Sequence, residues 1–211
     1  MLHIVSFAFN ALSENTYLII NEQKQCWIVD PGMYDPSETK FFLDYITKEQ
    51  LIPQAIINTH THFDHIFGVH DLVAAYQIPF GIHEKDMIVL EGGRSSAIMF
   101  GFDLKPAKHT FLIPENVPLQ LGNDTLEVRF TPGHSPGSIS FYDKAGNWVI
   151  GGDVLFAGGI GRTDLPGGDY ETLMHSIQSQ LMVLPEDTIV HPGHGPATTI
   201  GREKAGNPFL Q

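Results

Sequence analysis

Residues 54–65 decide how this chain reads: Gln54-Ala55-Ile56-Ile57-Asn58, followed at once by Thr59-His60-Thr61-His62-Phe63-Asp64-His65. The first five residues have the apolar centre of a short buried strand. The next seven place three histidines and an aspartate in six consecutive positions, 60–65. His60 and His62 are two apart, so in extended backbone both side chains leave on the same side. Asp64 and His65 fall where a helix over residues 64–76 is expected to begin, with Ile66, Val69, Leu72 and Val73 at helical steps. A carboxylate there is favoured by the free N–H groups of the first turn. Burying four such groups without partners would cost several kcal/mol. A pair of metal ions removes that cost, the H-x-H pair feeding one ion and the D-H pair its neighbour.

Three later segments repeat the pattern of a strand followed by a loop carrying a ligand-type residue. Thr131-Pro132-Gly133-His134-Ser135-Pro136-Gly137 follows a strand over 125–130. Gly151-Gly152-Asp153 follows one over 148–150. His191-Pro192-Gly193-His194-Gly195 follows one over 188–190. Glycine and proline fix tight, irregular backbone in each loop, and metal-binding residues are commonly carried on loops above a rigid scaffold.

Composition sets the frame for this site. The chain has 211 residues, 42% of them apolar and 17% charged, which fits one domain able to bury its own core. Glycine and proline make up about one residue in six, above the usual ~12%, and punctuate short runs throughout. There is no linker, low-complexity block or repeat. The net charge of −12 repels phosphate backbones, and the longest basic cluster is Lys105, Lys108 and His109, so no nucleic-acid partner is expected. One cysteine, Cys26, excludes an internal disulfide framework and reads as a small buried hydrophobe. No signal peptide and no membrane-spanning run is visible, so a cytoplasmic location without a membrane partner is expected. The oligomeric state is not encoded legibly.

Further strands are expected over 4–9, 16–20, 26–29 and 138–142, and helices over 36–48, 84–90, 170–181 and 198–204. Residues 92–111 have no clear pattern. Strands come in blocks with helices between and after them, which favours a sheet-on-sheet core with helices outside.

H-x-H-x-D-H, then a histidine, an aspartate and a final histidine resembles the metallo-β-lactamase superfamily over essentially the whole chain. Within it, TPGHSPGS, GGDVLFAGGIGRTDLPGGD and HPGHGPATTIGREKAGNPF look most like the short glyoxalase II-type proteins. The resemblance implies an α+β fold, a four-layer αββα sandwich with the metal site at one edge of the two sheets. It implies that His60, His62 and His134 hold a first metal, that Asp64, His65 and His194 hold a second, and that Asp153 bridges both. Two divalent ions are then the cofactors, zinc first, with iron or manganese also suited to these ligands. A bridging hydroxide would be the nucleophile, with Asp64 also able to orient it.

The first expected activity is thioester hydrolysis as in hydroxyacylglutathione hydrolase, on an S-(2-hydroxyacyl)glutathione or a related small thioester. Unlike the full-length family, the sequence stops soon after Gly206-Asn207-Pro208, so residues 1–211 are expected to be a single domain without the C-terminal helical domain that helps grip glutathione. The alternative is a persulfide dioxygenase with one iron on His60, His134 and Asp153, which Gly161-Arg162-Thr163-Asp164 resembles in its G-R-T-D loop. A purely structural metal site does not need seven ligands. β-Lactam hydrolysis is set aside because two-zinc class B enzymes generally carry a cysteine where this chain has Asp153. RNA-processing members are set aside on length and charge. Arg162 is the expected substrate contact, able to clamp a carboxylate, with an ion pair to Asp164 or Asp169 as the competing role. Met87, Met99, Phe100 and Phe102 are candidates for the pocket wall or for ordinary packing. His191 is a candidate partner of a ligand; His3, His70, His83, His109 and His175 are expected at the surface or in structural roles.

Overall fold

Neighbouring residues of a strand point to opposite faces, and in the central strands of this protein both faces are apolar. The computed structural model describes every residue from Met1 to Gln211. Its first sheet runs β1 (His3–Phe9), β2 (Glu14–Ile20), β3 (Gln25–Val29), β4 (Ile52–Ile57), β5 (Phe80–Ile82) and β6 (Phe111–Leu112), in that spatial order. The β1–β2–β3 meander is antiparallel, while β4, β5 and β6 add in parallel. The helices α1 (Pro36–Lys48), α2 (Val69–Tyr76) and α3 (Met87–Met99) lie along this half of the chain. The second sheet is built from β7 (Leu119–Leu121), β8 (Asp124–Phe130), β9 (Ile139–Asp143), β10 (Trp148–Gly152), β13 (Ile189–Pro192) and β14 (Thr198–Thr199). A separate hairpin joins β11 (Leu155–Phe156) to β12 (Gly159–Ile160). Helices α4 (Tyr170–Ser176) and α5 (Ile200–Gly206) complete the chain.

The alternation sorts these elements into four layers. Leu18, Ile20, Ile28 and Ile56 face Phe42, Ile46, Leu72 and Ala97 of the first helices. Their neighbours Tyr17, Ile19, Trp27 and Ile57 face the other way, onto Val128, Ile139, Phe141 and Ile150 of the second sheet. Tyr142, Val149 and Val190 turn outward again, against Leu173, Ile177, Leu181 and Ile200. Helix, sheet, sheet and helix are thus stacked through three apolar interfaces, the αββα arrangement expected from the sequence. Cys26 is buried in the first of these interfaces, and burial pushes its thiol up to about 12. No helix is long and apolar enough to cross a membrane.

Helix α1 has the expected bounds because its start is well specified. Asp35 caps it, Glu38 reaches back to the Asp35 N–H, and Pro36 opens it. The continuous helix expected over 64–76 is not formed. Residues Phe63–His65 make a single 3₁₀ turn and α2 begins only at Val69. The cause lies outside the segment: the Gly68 N–H donates to the Pro31 carbonyl at 2.7 Å instead of to Asp64, so the α-helical ladder cannot run through. Close packing fixes the arrangement, since a Cβ on Gly68 would sit 2.7 Å from Met33. Asp64 therefore has no α-helix N-terminus behind it. The short helix expected over 84–90 is a 3₁₀ turn, Glu84–Asp86, followed by all of α3. Its far half was obscured by the Gly92-Gly93 pair and by exposed apolar residues on its surface. The helix expected over 170–181 is α4 plus a π-helical turn, Ile177–Leu181.

The four ligand-bearing loops leave the ends of β4, β8, β10 and β13. They meet because the sheets are stitched together at that edge. The Ile139 N–H donates to the Thr59 carbonyl at 2.9 Å and the Asn15 N–H to the Gly193 carbonyl at 2.7 Å. The Tyr17 hydroxyl donates to the Pro192 carbonyl at 2.6 Å.

Candidate metal centre

At this edge the structure brings together all seven residues proposed as ligands. His60, His62 and His134 form one triad, and Asp64, His65 and His194 another, each with its ligand atoms within 4.8 Å of one another. Asp153 stands between them. Its Oδ2 is 3.5 Å from His134 Nε2 and 3.5 Å from His194 Nε2, and its Oδ1 is 3.6 Å from His65 Nε2. Asp64 Oδ2 lies 3.3 Å from His194 Nε2. The rings of His60 and His62 are 4.8 Å apart, side by side as their spacing suggests.

The hydrogen bonds behind the rings decide which nitrogen faces inward. His134 Nδ1 is 2.8 Å from the Arg162 carbonyl, and His194 Nδ1 is 3.0 Å from the Leu12 carbonyl. A carbonyl only accepts, so both Nδ1 atoms carry the proton and both Nε2 lone pairs look into the site. His65 Nδ1 donates to Asp30 at 3.1 Å. Thr59 gives its hydroxyl proton to Asp30 and accepts from His60 Nδ1 at 3.0 Å. Four imidazoles are thereby oriented from outside. Yet His60 Nε2, His65 Nε2 and Asp153 Oδ1 are buried with no hydrogen-bond partner. Such orphans are costly unless something fills the space. Converging imidazole lone pairs and carboxylate oxygens fit a divalent cation of the zinc, iron or manganese type.

Electrostatics agree with that donor set. Burial holds His60 well below the ordinary histidine range, with help from the neighbouring imidazoles. Burial, then His134, brings His62 down to about 3. Burial opposes charge on Asp153, but His65, His134 and His194 outweigh it and keep the carboxyl far below its usual range. Burial likewise opposes charge on His65, and there Asp153 and Asp64 outweigh it and hold the imidazole up.

Several residues essential to this geometry had no assigned role in the sequence. Asp30 opens the Asp30-Pro31-Gly32 segment after β3, and its carboxylate accepts from the Thr59 N–H and hydroxyl and from His65. The available signal was its position just after β3, the same placement as the ligand loops. Buried Asp86 accepts from the Thr61 N–H and hydroxyl, the Ser135 hydroxyl and the Gly137 N–H. It ties the His60–His62 segment to the His134 loop. Asn58 donates to the His60 and His65 carbonyls. Glu14 lies fully buried 3.7 Å from His65 Nδ1, and burial raises its carboxyl well above the usual range.

A cavity of about 830 Å³ opens above the centre, with His62, Asp64, His134, Asp153 and His194 at its floor. Arg162 lines it, but the guanidinium is held by Asp164 through two bonds of 2.7 and 2.8 Å. The competing ion-pair role is thus the one formed. Met99 and Phe100 line the cavity, whereas Met87 and Phe102 pack on the core. His191 is away from the ligands, edge-on to Tyr17 and Trp148.

Comparison with known proteins agrees with this architecture. Residues 10–194 match the sequence profile of the metallo-β-lactamase superfamily. A probable metallo-hydrolase of Bacillus subtilis is 44% identical over 203 residues, 94% of this chain and 93% of that one. The hydroxyacylglutathione hydrolase GloC of Haemophilus influenzae is 38% identical over 206 residues, 95% and 94% of the two chains. Among solved structures, the BLEG-1 B3 metallo-β-lactamase superposes with a TM-score of 0.91 at 38% identity, covering 99% of this chain and 100% of that one. TTHA1623 in a di-iron-bound form superposes with a TM-score of 0.88 at 39% identity, covering 98% and 100%. With two stacked sheets, a histidine–aspartate cluster at their common edge and these relatives, the chain belongs to the metallo-β-lactamase superfamily.

Proposed function

We propose that this protein is a metal-dependent thioester hydrolase of glyoxalase II type, acting on an S-(2-hydroxyacyl)glutathione or a related small thioester. One observation carries the reading. Four imidazoles give Nδ1 to the protein, and three of them, His65, His134 and His194, bring Nε2 within 3.5–3.6 Å of a single carboxylate, Asp153, that faces both triads. On this reading His60, His62 and His134 would hold one divalent ion, Asp64, His65 and His194 would hold the other, and Asp153 would supply a ligand to each. Zinc is the first choice for the donor set; the similar di-iron-bound protein supports iron as the second. Two such ions make hydroxide available at neutral pH and polarise the carbonyl under attack.

The chain's own residues do the rest. Asp64, between His65 and His194, orients the nucleophile as well as binding. The apolar cavity wall excludes bulk water from the floor. A thiolate leaves without prior protonation, so the reaction asks for no general acid from the protein. Arg162 contacts substrate only by sharing its guanidinium with Asp164. The likeness to GloC, a hydroxyacylglutathione hydrolase, supports the substrate class. We read residues 1–211 as one catalytic domain serving a small molecule, with no nucleic-acid partner at a net charge of −12.

Hydrolysis of S-lactoylglutathione by metal-loaded protein tests the reading. The expected kcat/KM is on the order of 10⁴ M⁻¹s⁻¹ or more, lost on chelation and restored by zinc or iron. Background rates on this substrate and on neutral-carrier thioesters alike would overturn it. Two other activities belong in the same experiment. Persulfide dioxygenation by one iron on His60, His134 and Asp153, the alternative suggested by the Gly161-Arg162-Thr163-Asp164 loop, would show as oxygen uptake with glutathione persulfide. β-Lactams also return as a test substrate: a protein described as a B3 metallo-β-lactamase is 38% identical to this chain, so Asp153 alone is no ground for setting them aside.

A further inference from the structure

The cavity above the candidate metal centre has two walls, both largely apolar. On one side α3 presents Ile88, Gly92, Ser95, Ser96 and Met99, positions that fall on one face of a helix. Ile88 and Met99 are 71% and 83% exposed, and Phe100 just beyond the helix is half exposed. Between these bulky ends the face is cut down to Gly92, Ser95 and Ser96. On the other side stand Phe156, Ile160 and Leu165. Phe156 and Ile160 come from the β11–β12 hairpin, which follows directly on Asp153. The slot therefore runs from the floor of the site to the mouth between a notched helix and an apolar hairpin. Exposed apolar surface of this kind, continuous with a reactive centre, marks a place where apolar ligand is bound.

Charge narrows the ligand further. Arg162 is the one Lys or Arg lining the cavity, and Asp164 already occupies the Nε–Nη2 edge of its guanidinium. Glutathione brings two carboxylates and an ammonium, and the slot offers those carboxylates only the remaining edge of one guanidinium, already paired with Asp164. Gly92 is informative in a second way. A Cβ built there meets nothing within 4 Å, so no neighbour needs the glycine for packing. Its φ is not in the left-handed region, so the turn does not need it either. What lies beside it is the open slot.

We propose that the notch in α3 is an acyl-chain subsite, and that the preferred substrate is a thioester of a medium-length, unbranched apolar acid and not of lactate. This rests on the thioesterase reading above and names its substrate. The carbonyl lies over the metal floor, the acyl chain runs along Gly92, Ser95 and Ser96 toward Met99, and the thiol carrier points to solvent. Hydrolysis adds water across the C–S bond: hydroxide oxygen joins the acyl carbon, the thiolate departs with the electron pair of the broken bond and takes up the proton that the new acid gives up, and the acid leaves as its carboxylate.

The test compares acetyl, butanoyl and octanoyl thioesters of N-acetylcysteamine, an uncharged carrier, with S-lactoylglutathione, on metal-loaded wild-type, Gly92→Ala and Gly92→Phe proteins. Calorimetric binding of the uncleavable thioether S-octyl-N-acetylcysteamine runs alongside. Each methylene that enters the slot is expected to raise kcat/KM roughly four-fold. Gly92→Phe should remove that gain, lowering octanoyl turnover about ten-fold or more while changing acetyl turnover little, and weaken thioether binding in step. Gly92→Ala, which adds one methyl group to the slot wall, should lower octanoyl turnover by less than Gly92→Phe does, so that the loss grows with the size of the side chain. A flat chain-length profile, a preference for S-lactoylglutathione, or thioether binding unmoved by Gly92→Phe would overturn the inference and leave the thioesterase reading standing. Thioether binding that Gly92→Phe abolishes, with no thioester cleaved, would support the subsite and overturn the thioesterase reading.

Discussion

Asp153 carries more of the proposed centre than any other single residue, because both triads approach its carboxylate. Asp153→Ala should lower metal content from about two ions per chain to one or fewer and reduce turnover by at least about 10²-fold. Metal analysis of the purified variant beside its kinetics checks this, and two bound ions with full activity would remove Asp153 from the centre. The seven candidate ligands were legible in the sequence because each group follows a strand, four of them crowded into His60–His65 and the other three on loops where glycine or proline precedes the histidine or aspartate. Asp30 and Asp86 were not. Their partners lie 25 to 51 residues away, and a residue whose role is to hold a distant loop leaves no mark in its own neighbourhood. Arg162 shows the converse. Its loop was legible, but its partner Asp164 was one of two candidates that only three-dimensional placement separates.

At the scale of elements, the informative case is the 3₁₀ turn Glu84–Asp86, whose last residue anchors two ligand loops. Asp86→Ala leaves the buried Thr61 and Gly137 N–H groups without an acceptor. Each such loss costs about 1–3 kcal/mol, so chemical denaturation should show a loss of about 2–5 kcal/mol, together with weaker metal retention against a chelator. A stability change below about 0.5 kcal/mol would show that the loops do not depend on this carboxylate. The longer strands and α1 were legible from alternation and from a well-made cap. The broken start of α2 was not, because the interruption comes from the Pro31 carbonyl on another strand's loop. Nor was α3: Gly92, Ser95 and Ser96 dilute its apolar pattern at the positions that line the cavity. Strands of two or three residues, such as β5, β6 and β14, exist only because a neighbour offers them an edge.

For the whole molecule, the candidate ligands come from both sheets, His60 to His65 after β4 and the others after β8, β10 and β13. An ion held there binds the native sandwich and not the unfolded chain, and so must stabilise the fold by mass action. At a thousand-fold excess over Kd the gain is about 4 kcal/mol, which for a chain of this size corresponds to a Tm higher by roughly 8–16 °C. Calorimetry of metal-loaded and chelated protein measures the difference. Equal melting temperatures would mean that the cluster binds no ion tightly.

The hydrogen bond from Tyr17 to the Pro192 carbonyl spans 175 positions of sequence, and the neighbouring contact from Asn15 to Gly193 is just as long. These two contacts give the fold a time order as well as a shape. Contacts so distant along the chain form slowly, since the loop between them must close before they are rewarded. His194 sits at the far end of that closure. A nascent chain can lay down β1 to β6 and present His60, His62, Asp64 and His65 long before His194 exists to meet them. The centre is therefore complete only once that closure is made, and an ion held by both triads marks a chain whose two sheets have already met.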